Sequence, residues 1–383
     1  MAYHERVDAS TGRSARLFKS LRLWTLCGCL CACFGPVHAA DRSRAVNVYA
    51  WAEYFPPSVV ARFEAESGLH VNYTMLDSPQ TAETILSVGS SNYDLVTMNA
   101  APELAREIPK GFWKVLDPAH MPNARNADPK ILELLRTVDP GNQHAVPWMW
   151  GTTGLIYNGE KIKSIMPNAP TDSLGMVFNK ELAAKFSSCG IDLIDSWGDI
   201  LPMVARYLGQ PALSSEPAAL AAVVAKLKEI RPYVRRVSTS GYYQQLAEGD
   251  ACLAIGYSGD ALIARRMVAE SHGSIRIDYS FAKEMVPFYI DSMVIPADAP
   301  NAAGALAFIN FVMRPEISAS VTRFIGFATA NAAAVPLLEP AVRDNTVIYP
   351  PAAVRARFEL QKAYSPEEAR TFSRAWLNFT SGQ

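Results

Sequence analysis

The segment between residues 46 and 98 constrains the fold most strongly, because short apolar strand patterns alternate in it with helical patterns. The strand patterns are rich in β-branched and aromatic residues, and Pro57 opens the first helical pattern while Gly68 ends it. Three strand patterns and two helical patterns follow in turn at residues 46–49, 56–68, 71–75, 82–88 and 93–98. This β-α-β-α-β order favours an α/β protein with a mostly parallel sheet covered by helices.

Strand and helix patterns continue to alternate in the rest of the sequence. The full length of 383 residues suffices for two domains. The stretch WMWGTTG at residues 148–154 is too rich in Gly and Thr for a helix and predicts a crossover before a strand at 155–157. Further strands are predicted at 252–257 and 288–295. Helices are predicted near Ala183 and at 200–208, 218–229 and 302–313.

The first 39 residues have the layout of a secretory signal peptide. A basic start that includes Arg13 and Lys19 precedes an apolar, small-residue run at 23–35, and Val37-His38-Ala39 offers small residues before a cleavage site. The apolar run is too short for a membrane span. The sequence therefore predicts export to the periplasm and removal of residues 1–39, with lipid anchoring through the Leu30–Cys33 stretch as the alternative.

Removal of this leader changes both the charge and the cysteine count. The leader carries five of the 36 Lys and Arg residues and two of the 37 Asp and Glu residues, which leaves 31 basic and 35 acidic residues and a net charge of about −4. That balance disfavours a nucleic-acid partner, because proteins that bind nucleic acids carry an excess of Lys and Arg over Asp and Glu. Only Cys189 and Cys252 remain after the leader, and two cysteines in an exported protein are a natural disulfide pair.

Signatures of catalysis are absent from the sequence. The glycines from Gly154 to Gly159 have the spacing of a phosphate-binding loop, but Glu160-Lys161 follows where Lys-Ser or Lys-Thr is required. The motif at 256–259 is one residue short of a nucleophile elbow. The histidines after the leader show no metal-ligand spacing; they are His70, His120, His144 and His272. We therefore expect a protein without enzymatic activity, metal or cofactor.

Four short segments pair an aromatic residue with a carboxylate, at positions expected to be strand ends or loops. They are Trp51/Glu53/Tyr54, Trp197/Asp199, Tyr257/Asp260 and Tyr289/Asp291. Aromatic faces attract ammonium groups, and carboxylates accept charge-assisted hydrogen bonds from them. The set would suit a slender molecule with amines at intervals. For any single pair, a core aromatic beside a solvated acid is the alternative interpretation.

Several segments together resemble the periplasmic polyamine-binding proteins of ABC importers, and the putrescine-binding type most closely. The resemblance runs from about residue 46 to the C-terminus and is most specific in WMWGTTG at 148–154 and in Tyr349-Pro350-Pro351. The other matching segments are VYAWAEY at 48–54, YDLV at 93–96, SCG at 188–190, GDACLAIGYSGD at 249–260, RPE at 314–316 and ANA at 330–332.

The resemblance implies a two-lobed periplasmic-binding-protein fold of type II, in which a hinge joins two lobes that each contain a sheet flanked by helices. One lobe would comprise residues 40–149 and 286–330, and the other 150–285 and 331–383. The ligand would lie in the cleft and would be delivered to an ABC permease by a monomeric protein. The family's disulfide would fall on Cys189 and Cys252.

The resemblance also implies a binding site. Its carboxylates would be Glu53, Asp199, Asp260 and Asp291, and its aromatic residues Trp51, Tyr54, Tyr257, Tyr289 and Phe327. Several positions depart from the family, which usually has Ser at Ala52 and Ala101, Asp at Glu53, Trp at Tyr257, Phe at Tyr289 and Tyr at Phe327. We therefore expect a polyamine, with putrescine as the first candidate and spermidine as the second, bound with an altered preference or a reduced affinity. An amine sensor that reports to a membrane receptor, and a binder of a different cationic molecule, are the alternatives.

Overall fold

The computed structural model describes residues 44–51, 54–76, 79–89 and 91–382. The predicted signal peptide at 1–39 lies outside the described residues, and so do Ala52 and Glu53, which follow Trp51 in the sequence. Within the described residues, no helix is both long enough and apolar enough to cross a membrane.

The described chain alternates strands with helices. The strands are β1 (Ala45–Trp51), β2 (His70–Leu76), β3 (Leu95–Asn99), β4 (Ala145–Asn158), β5 (Ile191–Leu193), β6 (Arg236–Val237), β7 (Leu253–Tyr257), β8 (Ile277–Ser280), β9 (Val286–Val294), β10 (Ala328–Thr329) and β11 (Phe358–Leu360). The helices are α1 (Pro57–Ser67), α2 (Pro79–Ser87), α3 (Ala105–Glu107), α4 (Pro129–Leu135), α5 (Gly159–Ile165), α6 (Gly175–Phe178), α7 (Lys180–Phe186), α8 (Trp197–Tyr207), α9 (Pro217–Ile230), α10 (Tyr242–Glu248), α11 (Ser258–Glu270), α12 (Ala302–Val312), α13 (Pro315–Ile325), α14 (Pro340–Arg343), α15 (Ala352–Arg355) and α16 (Pro366–Thr380).

The first part of the sheet confirms the predicted β-α-β-α-β order. Strand β1 pairs in parallel with β2 on one side and with β3 on the other, so Val48 lies between Tyr73 and Leu95. Helix α1 has Pro57 in its first turn and ends at Gly68, whose φ of 71° is left-handed. Proline has no N–H to leave unsatisfied in the first turn, and glycine adopts the left-handed cap without steric cost.

The sheet as a whole is mixed, so the expectation of a mostly parallel sheet is wrong. Strand β9 inserts between β3 and β4 and runs antiparallel to both, in the order β2-β1-β3-β9-β4-β7-β5-β6. The local alternation of strands and helices sets the direction of β1, β2 and β3 only. Strand β9 begins almost 190 residues after the end of β3. No local sequence pattern indicates the direction in which so distant a strand enters the sheet.

Strand β4 joins two hydrophobic cores. The stretch predicted as a crossover and the strand predicted after it form one strand of 14 residues. Its first half pairs with β9 and contributes Val146 and Trp148 to a core that also contains Phe308. Its second half pairs with β7 and contributes Leu155 to a separate core. Residues 151–154 lie between these two contributions, and none of them belongs to either core.

The C-terminal segment returns to both parts of the molecule. Strand β11 pairs with β9, and helix α16 packs Phe372 and Phe379 into the core that contains Leu155. Ser365 forms a capping box with Glu368, which satisfies backbone N–H groups at the start of this helix. The indole Nε1 of Trp376 donates a hydrogen bond of 2.6 Å to Asp195 Oδ1. Helix α16 is therefore fixed by packing, by its cap and by this polar contact.

The predicted disulfide between Cys189 and Cys252 is confirmed. Cys189 ends the turn that leads into β5, and Cys252 immediately precedes β7. Strands β5 and β7 are parallel neighbours, so their beginnings lie side by side and the two Cα atoms are 5.4 Å apart. The bond ties together the two strands from which Asp199 and Asp260 follow.

Candidate functional site

Pairing between strands brings the predicted site residues together. Thr153 of β4 pairs with Tyr257 of β7, and Gly151 of β4 pairs with Tyr289 of β9. Tyr289 and Asp291 lie inside β9, two residues apart, so their side chains share one face of the sheet. They were expected at a strand end or in a loop. The expectation fails because β9 extends through the predicted site and is buried along its whole length.

The other site residues lie at the ends of elements, as expected. Trp51 ends β1 and Tyr257 ends β7, while Asp199 and Asp260 occupy the first turns of α8 and α11. Glu53 lies outside the described residues.

Four aromatic rings from different elements pack against one another at this place. The rings of Tyr257 and Tyr289 meet edge to face, with centroids 5.3 Å apart and an interplanar angle of 73°. Phe327 lies 6.5 Å from Tyr289 and 6.0 Å from Tyr54. Gly259 permits this packing, because a Cβ at that position would lie 2.2 Å from the Phe327 ring. The rings form a continuous apolar surface beside the carboxylates.

Asp291 is buried and is held by neutral donors. Its carboxylate accepts hydrogen bonds from the Tyr54 hydroxyl and from the side chain of Trp51. Burial raises the pKa of Asp291 to about 6 although these two hydrogen bonds act in the opposite direction, and the negative charge of Asp199 raises it slightly further. The carboxyl group is therefore ionised at neutral pH but is poorly stabilised by its surroundings.

Asp199 is buried in the same way and is surrounded by more hydroxyl groups. Thr153 Oγ1 donates to Oδ1 at 2.8 Å, Ser196 Oγ donates to Oδ2 at 2.6 Å, and Tyr257 Oη lies 3.4 Å from Oδ2. Burial raises the pKa of Asp199, and the hydrogen bonds from Ser196, Thr153 and the side chain of Gln361 reduce that rise. Neutral hydroxyl and amide donors therefore fix the orientation of the carboxylate.

Asp260 is oriented by Tyr242, a residue that the sequence analysis did not identify. Tyr242 Oη donates a hydrogen bond of 2.6 Å to Asp260 Oδ2 and accepts one of 2.9 Å from the backbone N–H of Tyr257. Tyr242 is fully buried and lies against Gly256, where a Cβ would be 2.3 Å from its ring. One phenol therefore positions an acid and an aromatic residue of the site at the same time.

Glu103 is a further acid that the sequence analysis missed. It lies just after β3, the strand that neighbours β9, and only 5% of its surface is exposed. Burial raises the pKa of Glu103 to about 7, and the negative charges of Asp199 and Asp291 add to the rise while Arg106 opposes it. These interactions place Glu103 within electrostatic range of the site. Its unusual pKa comes from burial, which no local pattern in the sequence indicates.

The site therefore has a strong excess of negative charge. Among the residues that the structure describes, no Lys, Arg or His lies within ion-pair distance of Asp199 or Asp291. In the same part of the chain, no group of three His, Cys, Asp or Glu residues could hold a metal ion. Buried carboxylates are stable only when a positive partner or several donors compensate for lost hydration. The arrangement can thus receive a slender organic cation between acids and aromatic rings.

Comparison with known proteins finds relatives whose names specify an organic cation as the ligand. A family model described as bacterial extracellular solute-binding protein matches residues 58–348. The chain is 37% identical over 369 residues to the putrescine-binding periplasmic protein SpuD of Pseudomonas aeruginosa, covering 96% of this chain and 99% of that protein. It is 36% identical over 346 residues to the putrescine-binding periplasmic protein PotF of Escherichia coli, covering 90% and 93%.

A solved structure supports the same relationship at the level of the fold. A chain from Listeria monocytogenes, assigned to a spermidine/putrescine ABC transporter, superposes with a TM-score of 0.79 at 27% identity and covers 89% of this chain and 100% of its own length. The fold is accordingly the two-lobed α/β fold of periplasmic binding proteins. The chain belongs to the family of bacterial extracellular solute-binding proteins.

Proposed function

We propose that this protein is an exported solute-binding protein that captures a polyamine in its cleft and delivers it to an ABC permease. Putrescine is the first candidate and spermidine the second. The observation that carries the proposal is the presence of two buried carboxylates, Asp199 and Asp291, that have no positive partner among the described residues. The relatives named for putrescine binding add support from an independent direction.

The chemistry of a diamine fits the groups in the site. An ammonium group brings the positive charge that the carboxylates lack, and its N–H groups can donate to their oxygens. The methylene chain between two ammonium groups is apolar and slender, so it can lie against the aromatic surface of Tyr257, Tyr289 and Phe327. Aromatic faces next to an ammonium group add cation–π attraction. No covalent step is required.

We place the hinge in the part of β4 between the two cores, at residues 151–154. The proposed division assigns residues 40–149 and 286–330 to one lobe, and residues 150–285 and most of 331–383 to the other. Ala334, Leu338 and Ile348 are exceptions: the first two pack with Ala319, and Ile348 packs into a core on the side of β3 and β9. In this division Asp291 comes from one lobe, while Asp199 and Asp260 come from the other. Closure would bring all three carboxylates around the ligand.

Titration calorimetry of the purified protein tests the proposed function. We expect one putrescine to bind per chain, with spermidine, cadaverine and agmatine as competitors of graded strength. Butane-1,4-diol, which has the same carbon chain without the charges, should give no heat, because the carboxylates require a cation. Binding of none of the amines would refute a polyamine-binding function. Binding of another cationic molecule in their place would retain the charge argument but change the ligand.

Replacement of Tyr242 by Phe should weaken putrescine binding about tenfold or more. The variant keeps the ring that packs on Gly256, but it loses the hydroxyl that donates to Asp260 and accepts from the N–H of Tyr257. The ligand-free protein already makes this bond, so its loss acts on affinity through the orientation of Asp260. Hydrogen bonds to charged groups contribute roughly 1.5–3 kcal/mol, and a cost of about 1.4 kcal/mol to reorient the released carboxylate on binding would raise the dissociation constant about tenfold.

Calorimetry measures this loss of affinity, and a melting curve of the ligand-free variant measures any loss of stability. A variant that melts at a lower temperature but binds putrescine as tightly as the unaltered protein would show that Tyr242 has only a structural role. We would then no longer regard it as a positioning residue for Asp260.

A further inference from the structure

The hydroxyl group of Tyr289 is buried and has no hydrogen-bond partner in the part of the chain that the structure describes. Only 6% of the surface of Tyr289 is exposed, and its Oη has neither a donor nor an acceptor within hydrogen-bond distance among the described residues. The neighbouring buried phenol of Tyr279 differs in this respect, because its Oη bonds both to Thr152 Oγ1 at 2.8 Å and to the Thr152 carbonyl at 3.1 Å. An unpaired buried hydroxyl is costly, so its presence requires an explanation.

A glycine on the opposite strand makes room for this hydroxyl. Gly151 pairs with Tyr289 across β4 and β9, and the phenol ring extends over it. A Cβ at position 151 would lie 2.3 Å from Tyr289 Oη and 3.1 Å from Ser258 Oγ. Any residue other than glycine would displace the phenol. The backbone is thus shaped to admit a Tyr hydroxyl at this point, beside the first residue of α11.

The groups around the hydroxyl are those of the proposed amine site. The rings of Tyr257 and Phe327 contact the Tyr289 ring, at 5.3 Å and 6.5 Å between centroids. Burial raises the pKa of Tyr289 well above its ordinary value, and the negative charges of Asp291 and Asp260 raise it further. The hydroxyl is therefore neutral at physiological pH. Its oxygen carries lone pairs that can accept a hydrogen bond in a place where negative charge attracts cations.

We propose that the Tyr289 hydroxyl accepts a hydrogen bond from the ligand's ammonium group and thereby selects primary amines over N-methylated amines. A primary ammonium has three N–H donors, and all three must find acceptors when the group is buried. Two can be satisfied by carboxylate oxygens such as those of Asp291 and Asp260, and the phenol oxygen supplies the third. This inference rests on the proposed function, since it assigns a role within the same site.

The test compares Tyr289→Phe with the unaltered protein, using putrescine and N,N′-dimethylputrescine as probes in calorimetry. Each nitrogen of the dimethylated amine has one N–H fewer, so it cannot use every acceptor. We expect the unaltered protein to bind putrescine more tightly than the dimethylated amine. The variant should lose about tenfold in its affinity for putrescine and much less for the dimethylated amine, so that the ratio of the two dissociation constants approaches one.

Melting curves of the ligand-free proteins provide the second measurement, with Tyr279→Phe as the matched control. Removal of the unpaired Tyr289 hydroxyl should leave the melting temperature unchanged or raise it, whereas removal of the paired Tyr279 hydroxyl should lower it. A fall for Tyr289→Phe as large as that for Tyr279→Phe would indicate a structural hydroxyl and overturn the inference.

An unchanged ratio of dissociation constants in Tyr289→Phe would overturn the inference as well. If the unaltered protein bound no amine at all, both this inference and the proposed function would fall. If it bound putrescine but the variant behaved identically, only the role of Tyr289 would be refuted.

Discussion

Replacement of Asp291 by Asn should weaken putrescine binding by about a hundredfold to a thousandfold. The carboxylate is 5% exposed, and its described partners are the neutral donors Tyr54 and Trp51, so the ligand would be the group that neutralises it. The loss of one member of a buried ion pair costs roughly 3–5 kcal/mol, because the remaining charge stays buried and unpaired. Asn keeps the size and the hydrogen-bonding oxygen but removes the charge.

The pH dependence of binding gives a sharper signature than the affinity at a single pH. The ionised form of Asp291 binds the ammonium group, and the pKa of this residue in the ligand-free protein is raised to about 6. Putrescine affinity should therefore be constant above about pH 7 and should fall by up to tenfold per unit below pH 6, because binding must then first release a proton. The Asn variant should lose this part of the pH dependence.

The stability of the ligand-free protein should fall as the pH rises, whereas the affinity for putrescine should rise. Because folding raises the pKa of Asp291, the folded state binds a proton more tightly than the unfolded chain, and stability is lost as the pH rises from about 4 through 6. The ligand-free Asn variant should therefore melt at the same or a higher temperature than the unaltered protein at pH 8. Weaker binding combined with a lower melting temperature would point to misfolding instead.

Asp192→Asn is the matched control for this experiment. Asp192 is also fully buried, and burial raises its pKa, but it lies in β5 and forms an ion pair of 4.0 Å with Arg235, whose charge opposes that rise. Its replacement should change putrescine affinity by no more than about twofold, because it does not touch the ligand. If both Asn variants lost affinity to a similar degree, the effect would be a general consequence of buried-charge removal, and Asp291 would have no special role.

Loss of the disulfide between Cys189 and Cys252 should lower the free energy of unfolding by about 2–4 kcal/mol. The bond closes a loop between cysteines that are 63 residues apart in the sequence, and a cross-link of that span reduces the entropy of the unfolded chain. The double variant Cys189→Ser, Cys252→Ser avoids the creation of a free thiol. Urea denaturation of this variant and of the unaltered protein, with and without a reductant, measures the difference.

The double variant also separates stability from binding. The cysteines lie at the beginnings of β5 and β7, whereas Asp199 and Tyr257 lie at or beyond the far ends of these strands. We therefore expect putrescine affinity to change much less than stability under native conditions. The reductant should destabilise the unaltered protein and leave the variant unaffected. Equal stability of all samples would contradict a stabilising role for the disulfide.

Local patterns were sufficient to predict several elements, because the interactions that form them are close in the sequence. Helix α1 begins at its proline and ends at its glycine, and helix α12 coincides with the apolar stretch at 302–313. Trp51 at the end of β1, Tyr257 at the end of β7 and Asp260 just after it were singled out because aromatic and carboxylate residues adjoin one another in the sequence there. Site residues that lie within four or five positions of one another can be recognised from the sequence without a structure.

The parts that could not be predicted depend on contacts between distant segments. Gln361 bonds to Asp199 across 162 positions of the chain, and Tyr242 reaches Asp260 from a separate helix. The unpaired state of the Tyr289 hydroxyl depends on the register between β4 and β9. Glu103 is ordinary in the sequence and becomes unusual only through burial beside other acids. Such properties belong to the assembled site and have no local signal.

Because β4 is one continuous strand, the number of residues at 151–154 determines which face of the sheet each later side chain of the strand occupies. Side chains alternate between the two faces of a strand, so insertion or deletion of one residue at 151–154 would reverse the facing of Leu155 and Tyr157 relative to the first core. The same change would shift Thr153 out of register with Tyr257 and separate Gly151 from the phenol that it accommodates. The length of this short crossing is therefore far less free to vary than that of a loop, and substitutions rather than length changes are the route by which the site can alter its choice of ligand.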